Sequence, residues 1–282
     1  MMKSGCALLA VMLVCACSGG QPTGDKTAAD RDHPGNAAAN GMAAPVSSLP
    51  VIPPRSADVA IDRDDAALEF HYAFPGEAAA VAPLDTWLRA HADDQHRAAH
   101  ADAVAFQETA KKEGFPFRKY SYDQKWAVVA NLPVALVMES NGYSYTGGAH
   151  GMPFTTSLIW DRTAGKRLGT ADLLDKGALA KAANDVFCRE LDRQREQKRG
   201  EPVNPKAESG ISDFNTCPVM KEQEIIPLSR KGRALDTIRV VIGPYVAGPY
   251  AEGSYEIDMP LSAAMLAAVK PAYRGWFSTG TP

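Results

Sequence analysis

Beyond its first seventeen residues the chain is almost without cysteine: only Cys188 and Cys217 follow. Two cysteines so far apart form no CxxC pair, which excludes a redox motif of that kind and a cysteine-rich zinc site. An excess of positive charge is also missing. With 30 basic and 33 acidic residues the net charge is −3, so the electrostatic footprint of a nucleic-acid binder is absent. No apolar run approaches the ~20 residues that a membrane-spanning helix needs. The sequence has no GxSxG nucleophile elbow and no G-x-G-x-x-G, so neither serine-hydrolase chemistry nor a dinucleotide cofactor is indicated, and no cofactor is expected. Aspartates and glutamates are plentiful, but no pair stands out as the two flanking carboxylates of a glycosidase. A chain of 282 residues can still bury a sizeable core, in one large domain or two small ones.

What is present begins with a short apolar leader. Residues 1–16 carry one early Lys3, an apolar stretch and then small residues, the pattern of a secretory signal peptide. Val14-Cys15-Ala16-Cys17 resembles a bacterial lipobox, so Cys17 is the expected lipidated N-terminus after cleavage. The expected location is periplasmic, with the membrane contacted through the lipid anchor alone. Ser18, in place of Asp, points to the outer membrane. Residues 17–56 are rich in Ala, Gly, Pro, Ser and Asp and have no periodic apolar positions, so they read as a disordered tether. In an exported chain, Cys188 and Cys217 are expected to pair as a disulfide; the alternative is two unpaired buried thiols.

The folded part divides for description into 57–150 and 151–282. Residues 66–74 read as a strand, ended by Pro75-Gly76. Residues 82–113 read as a long helix anchored by Leu84, Trp87, Leu88, Val104 and Phe106, with Gly114 as its stop. Three strand-like runs follow, the last ending in the hairpin turn "DRTAGK". A second amphipathic helix is expected over about 176–198. After a polar loop come three more strands, 224–228, 234–242 and 254–260, and a short helix, 262–269. Strands with two main helices indicate an α+β fold, the helices packed on a largely antiparallel sheet.

Three places could carry function. "SYTGGAHG", residues 144–151, puts Tyr145 and His150 beside glycines that permit a tight turn. His150 is read as bracing that turn and as a candidate contact. On the long helix, Asp93, His96 and His100 share one face at spacings that could hold a metal, although Arg97 sets a positive charge beside it. The bland reading of that face is a solvated, charged helix. "GPYVAGPYAEGSYEI", residues 243–257, offers Tyr245, Tyr250 and Tyr255 as amphipathic contact residues, or as fillers of the core's edge. No catalytic residue is assigned, and a non-enzyme is expected.

The order of these segments carries a resemblance. "YTGGAHG", then "TTSLIWDRTAGKRLGTADLL", an amphipathic helix, and "VVIGPYVAGPYAEGSYEIDMPLSAA" resemble the extracytoplasmic domain shared by the anti-sigma factor RsiV and the N-terminal region of the peptidoglycan deacetylase PdaC. The likeness spans roughly residues 57–270 and is strongest in the second half. It implies an α+β domain with helices against an antiparallel sheet. In RsiV that domain binds lysozyme; in PdaC it precedes a separate catalytic domain. No contact residue can be carried over by position. The resemblance therefore implies an envelope recognition protein that binds or inhibits a lysozyme-like cell-wall hydrolase. A peptidoglycan-binding scaffold is the alternative, and a hydrolase with an unreadable site is the third. Removal of the leader takes away Lys3 and leaves the chain one charge more acidic, a mild bias toward a basic partner.

Overall fold

The computed structural model describes residues 49–204 and 212–280. The expected signal peptide, Cys17 and the expected tether up to residue 48 lie outside the described residues. Residues 49–58 form no regular element, but the last of them already pack on the fold. The Ser56 amide donates to Gly76 O, and Arg55 reaches Glu77 and Asp58.

Six strands make the first sheet in chain order: β1 Val59–Asp64, β2 Leu68–Phe74, β3 Tyr120–Asn131, β4 Ala135–Tyr145, β5 Met152–Asp161 and β6 Lys166–Leu168. Every pairing is antiparallel except β2 with β3. A parallel pair needs a crossover. Here it consists of α1, Gly76–Ala79, and α2, Ala82–Glu113. The long helix has the bounds its sequence indicates, with Pro83 in its first turn and Gly114 closing it at φ 77°.

The buried stripe of α2 is Leu84, Leu88, Ala92, Ala103 and Ala110. Its alanines let the helix lie close to the sheet. Trp87 and Phe106 pack at its margin, whereas Val104 faces solvent, against expectation. Under the helix, Leu68, Phe70, Tyr72 and Phe74 alternate inward from β2 beside Tyr122 and Trp126 of β3. Trp126 Nε1 donates to the Tyr72 hydroxyl at 2.7 Å, and that hydroxyl donates to His91 Nδ1 at 2.9 Å. Burial lowers the His91 pKa, and the neighbouring Arg167 adds to this. That suits a neutral imidazole accepting the tyrosine's proton.

A second sheet is the main departure from the single sheet expected. It contains β7 Glu224–Leu228, β8 Thr237–Ile242 and β9 Tyr255–Pro260, all antiparallel. One face, with Ile225, Ile238, Val240, Ile242, Tyr255 and Ile257, is buried with α4, Lys176–Arg199. The other face meets β4 and β5, where Arg239 reaches Glu139 and Ser157 donates to Glu224. The middle of β4 is thus covered on both sides. Leu136 and Met138 join the core under α2, and Val137 joins the core under α4. This explains the unbroken burial from Ala135 to Ser140. Two short helices, α3 Thr170–Leu173 and α5 Ala263–Leu266, complete the second core.

Helix α4 begins at Asp175, whose carboxylate accepts from the Gly177 and Ala178 amides, and ends at Gly200, φ 75°. Its buried stripe runs every four residues: Leu179, Ala183, Phe187, Leu191 and then Arg195. Cys188 forms a disulfide with Cys217, which ties the polar loop to this helix. Replacing both cysteines by serine should lower the unfolding free energy by about 3–4 kcal/mol on the chain-entropy account. Urea unfolding of the double variant beside the native protein checks this.

Candidate functional site

Two loops meet at one end of the molecule. The first is the β4–β5 turn, residues 146–151. Tyr145 donates its hydroxyl proton to Gly148 O at 3.1 Å, and the Gly151 amide donates to the Tyr143 hydroxyl at 2.9 Å. Gly147 sits at φ 84°, a backbone conformation that favours glycine. Gly151 is required for space: a Cβ there would come within 2.5 Å of the Tyr143 ring and 2.6 Å of Ser144 O. Gly151→Ala should therefore displace Tyr143 and cost about 1–3 kcal/mol. A fall in melting temperature with altered near-ultraviolet tyrosine dichroism would report it.

The second is the β8–β9 loop, residues 243–254, and α4 holds it from beneath. Arg195, fully buried, donates Nε to Ala247 O at 2.9 Å and another nitrogen to Thr216 O at 2.7 Å. Arg199 pairs with Glu252 at 2.8 Å and also reaches Phe214 O and Ala247 O. Lys198 donates to Glu252 O and Ser254 O at 2.6 and 2.8 Å, its ammonium 3.8 Å from the centre of the Tyr255 ring. Burial alone would raise the Glu252 carboxyl, but hydrogen bonds from Arg199 and Tyr255 hold it below the usual carboxylate range. Burial, reinforced by Glu252, pushes the Tyr255 hydroxyl up to about 12.

On this support the two loops join. His150 Nδ1 lies 3.0 Å from Gly151 O, which can only accept, so Nδ1 carries the proton. Nε2 then accepts from the Tyr245 hydroxyl at 3.1 Å. The imidazole stacks on Tyr250 with centroids 3.7 Å apart, and the Tyr245 and Tyr250 rings lie 5.9 Å apart. Burial raises the Tyr250 hydroxyl pKa, and the neighbouring Tyr143 adds to this. The result is a ledge of Tyr143, His150, Tyr245 and Tyr250, flanked by exposed Val246. Tyr245 remains 49% exposed although its φ is 68°. It is the one non-glycine residue with positive φ among the described residues. Such a conformation costs a bulky residue about 1–3 kcal/mol and persists where the surrounding structure enforces it.

The structure therefore gathers His150, Tyr245 and Tyr250, whereas Tyr145 braces the turn behind them. Tyr255 does not belong on the contact surface: it is 1% exposed and points into the α4 core, because β9 alternates and Lys198 caps its ring. Tyr143 was missed by the sequence reading. Its signal was its place two residues before Tyr145, on the same face of β4.

The helical face proposed for a metal is occupied otherwise. Asp93 pairs with Arg63 of β1, the His96 ring meets Phe70 edge-on at 5.2 Å, and His100 Nε2 lies 3.0 Å from Asp65. These side chains fasten α2 to the sheet. Among the described residues no group of three or more His, Cys, Asp or Glu is placed to hold a metal ion.

Comparison with known proteins agrees with the resemblance over part of the chain. Residues 61–153 match the family model described as Deacetylase PdaC. That stretch runs from β1 to the start of β5 and includes His150 but not the tyrosine loop. The matched residues thus fall in the first half, not the second, where the motifs had placed the strongest likeness. No curated protein matches the chain. Two solved structures of the DUF3298 family are similar. One, from Bacteroides fragilis, is 17% identical, with 80% of this chain and 98% of that chain covered and a TM-score of 0.46. The other, from Pseudomonas aeruginosa, is 18% identical, with 79% and 97% covered and a TM-score of 0.42.

Proposed function

We propose that the protein is a lipid-anchored recognition protein of the cell envelope whose contact surface is the aromatic ledge, and that its partner is a lysozyme-like cell-wall hydrolase. The observation that carries this reading is Tyr245, kept exposed in a left-handed backbone conformation and tied to His150 across two loops. Tyrosine is favoured at binding hot spots because it supplies a large amphipathic face with little side-chain entropy to lose. Occluding a substrate cleft needs shape and anchors, not a nucleophile or a metal. The resemblance to a lysozyme-binding domain supplies the partner class, and the leader with Cys17 supplies the location at the outer membrane.

The test is a titration of purified protein against several lysozyme classes, recording affinity and residual wall hydrolysis together. Binding with loss of hydrolysis identifies an inhibitor or immunity protein. Binding without loss identifies a sensor or decoy. His150→Ala should weaken binding about tenfold or more with the fold intact, since it removes both the Tyr250 stack and the acceptor for Tyr245. Lost thermal stability at unchanged affinity would show that His150 only braces the turn.

A second reading has its own observation. The stacked rings of His150 and Tyr250 leave an aromatic surface of the kind on which sugar rings rest. Binding of peptidoglycan fragments without binding of any hydrolase would favour a glycan scaffold.

A further inference from the structure

Glu139 lies in the seam between the two sheets, 3% exposed, within the doubly covered part of β4. Its Oε2 accepts from Arg239 of β8 at 2.9 Å. Its Oε1 is the one buried side-chain oxygen or nitrogen without a hydrogen-bond partner among the described residues. An unpartnered carboxylate oxygen out of water is costly unless the group is neutralised.

The surroundings offer this carboxylate only a shared positive charge. Arg239 is shared: it binds Asp258 of β9 through two nitrogens at 2.7 and 3.1 Å and lies 3.0 Å from Glu256 of the same strand. From β7, Glu224 adds a further negative charge and is itself hydrogen-bonded by Ser157 of β5. Arg230, in the loop before β8, pairs with Asp258 and not with Glu139. From β3, Lys125 sits diagonally across the ladder, opposite Asn141, and is exposed. One guanidinium therefore serves three carboxylates, and the most buried of them has an orphaned oxygen.

We propose that Glu139 is a proton-uptake site that makes the seam between the two sheets responsive to pH, alternating between a neutral carboxylic acid and a carboxylate paired with Arg239. Burial is the largest influence on this carboxyl; Arg239 opposes it, and repulsion from Glu256 and Glu224 adds to it, leaving the group above its ordinary value. For an acid with a raised folded-state pKa, the sign is fixed. Its stabilising contribution is complete below the ordinary glutamate pKa and is lost as pH rises through the folded-state value. The seam is thus best satisfied in acidic surroundings. It lies on the strand that also presents Tyr143, four residues further along the same face.

The test is urea unfolding of the full-length protein and of Glu139→Gln from about pH 4 to about pH 8, with the Glu139 carboxyl followed by NMR in the unsubstituted protein. Glutamine keeps an acceptor for Arg239 and cannot ionise. Between the two pKa values, the unfolding constant of the native protein should rise relative to that of the variant by up to about tenfold per pH unit. The Glu139 resonance should titrate above those of exposed glutamates. Parallel pH profiles, a relative constant falling with pH, or a resonance titrating in the ordinary range or below would overturn the proposal. If the glutamine variant does not fold, the resonance decides alone.

Discussion

Arg195→Met should lower the unfolding free energy by about 3–4 kcal/mol, more than any exposed substitution on the same helix. The guanidinium is completely buried and is spent on backbone acceptors: Ala247 O in the tyrosine loop and Thr216 O beside the disulfide, with Asp192 as its ionic partner. Methionine fills much of the space and donates nothing. The Thr216 carbonyl loses this donor, and Ala247 O keeps only the longer bond from Arg199, 3.2 Å. Each hydrogen bond lost from a charged donor costs about 1.5–3 kcal/mol. The loss should also show locally, as faster hydrogen exchange across residues 243–254, before global unfolding. A change below about 1 kcal/mol would mean that Arg199 and Lys198 suffice to hold the loop.

The second large effect concerns recognition. Tyr245→Gly combined with Tyr250→Ala should weaken partner binding by at least about 100-fold while moving stability by no more than about 1 kcal/mol. The asymmetry arises because the two tyrosines spend stability on presentation. Tyr245 occupies a backbone conformation that glycine adopts freely, so glycine relieves strain and offsets the lost contact with His150. Tyr250 is only half-buried, so its removal exposes a supported loop and opens no cavity in the core. Isothermal titration with the native protein and the double variant, alongside their melting curves, separates a binding loss from a folding loss. A variant that loses stability in step with affinity would make the ledge a structural element.

Much of the fold could be read from local chemistry. Helix α2 declares itself through Pro83 near its start and Gly114 at its end, and α4 through Asp175 and Gly200. The alternation of β2 and the glycine turn after β4 are equally plain. Strand β1 was not seen because "VAIDRD" is short, acidic and only half-buried, as an edge strand can be. The second sheet was hidden for a different reason: strand patterns show which faces are buried, not which strands pair. Tyr255 illustrates this, since its sequence neighbours resemble those of Tyr250 and only the pairing of β9 turns it inward.

The site was partly legible. Glycine and tyrosine spacing marked both loops, but nothing in the sequence brings residue 150 to residue 245. Arg195 carried a signal that the sequence reading did not use. It continues the four-residue stripe of Leu179, Ala183, Phe187 and Leu191, so a charged residue occupies a core position. Glu139 is the strand counterpart, a carboxylate at the end of an apolar run and still within the buried stretch of β4. In both, the polar side chain bridges to an element distant in sequence, and the bridge becomes visible only in the folded chain.

The most direct measurement is a calorimetric titration of the purified protein into a panel of lysozyme-like hydrolases, with the Tyr245→Gly, Tyr250→Ala variant run in parallel and wall hydrolysis assayed in each mixture. The expected result is binding of at least one class by the native protein, and its loss in a variant that melts within about 2–4 °C of the native one. Equal binding by both proteins would remove the ledge as the contact surface. No binding to any class by the native protein would contradict the hydrolase-binding role itself.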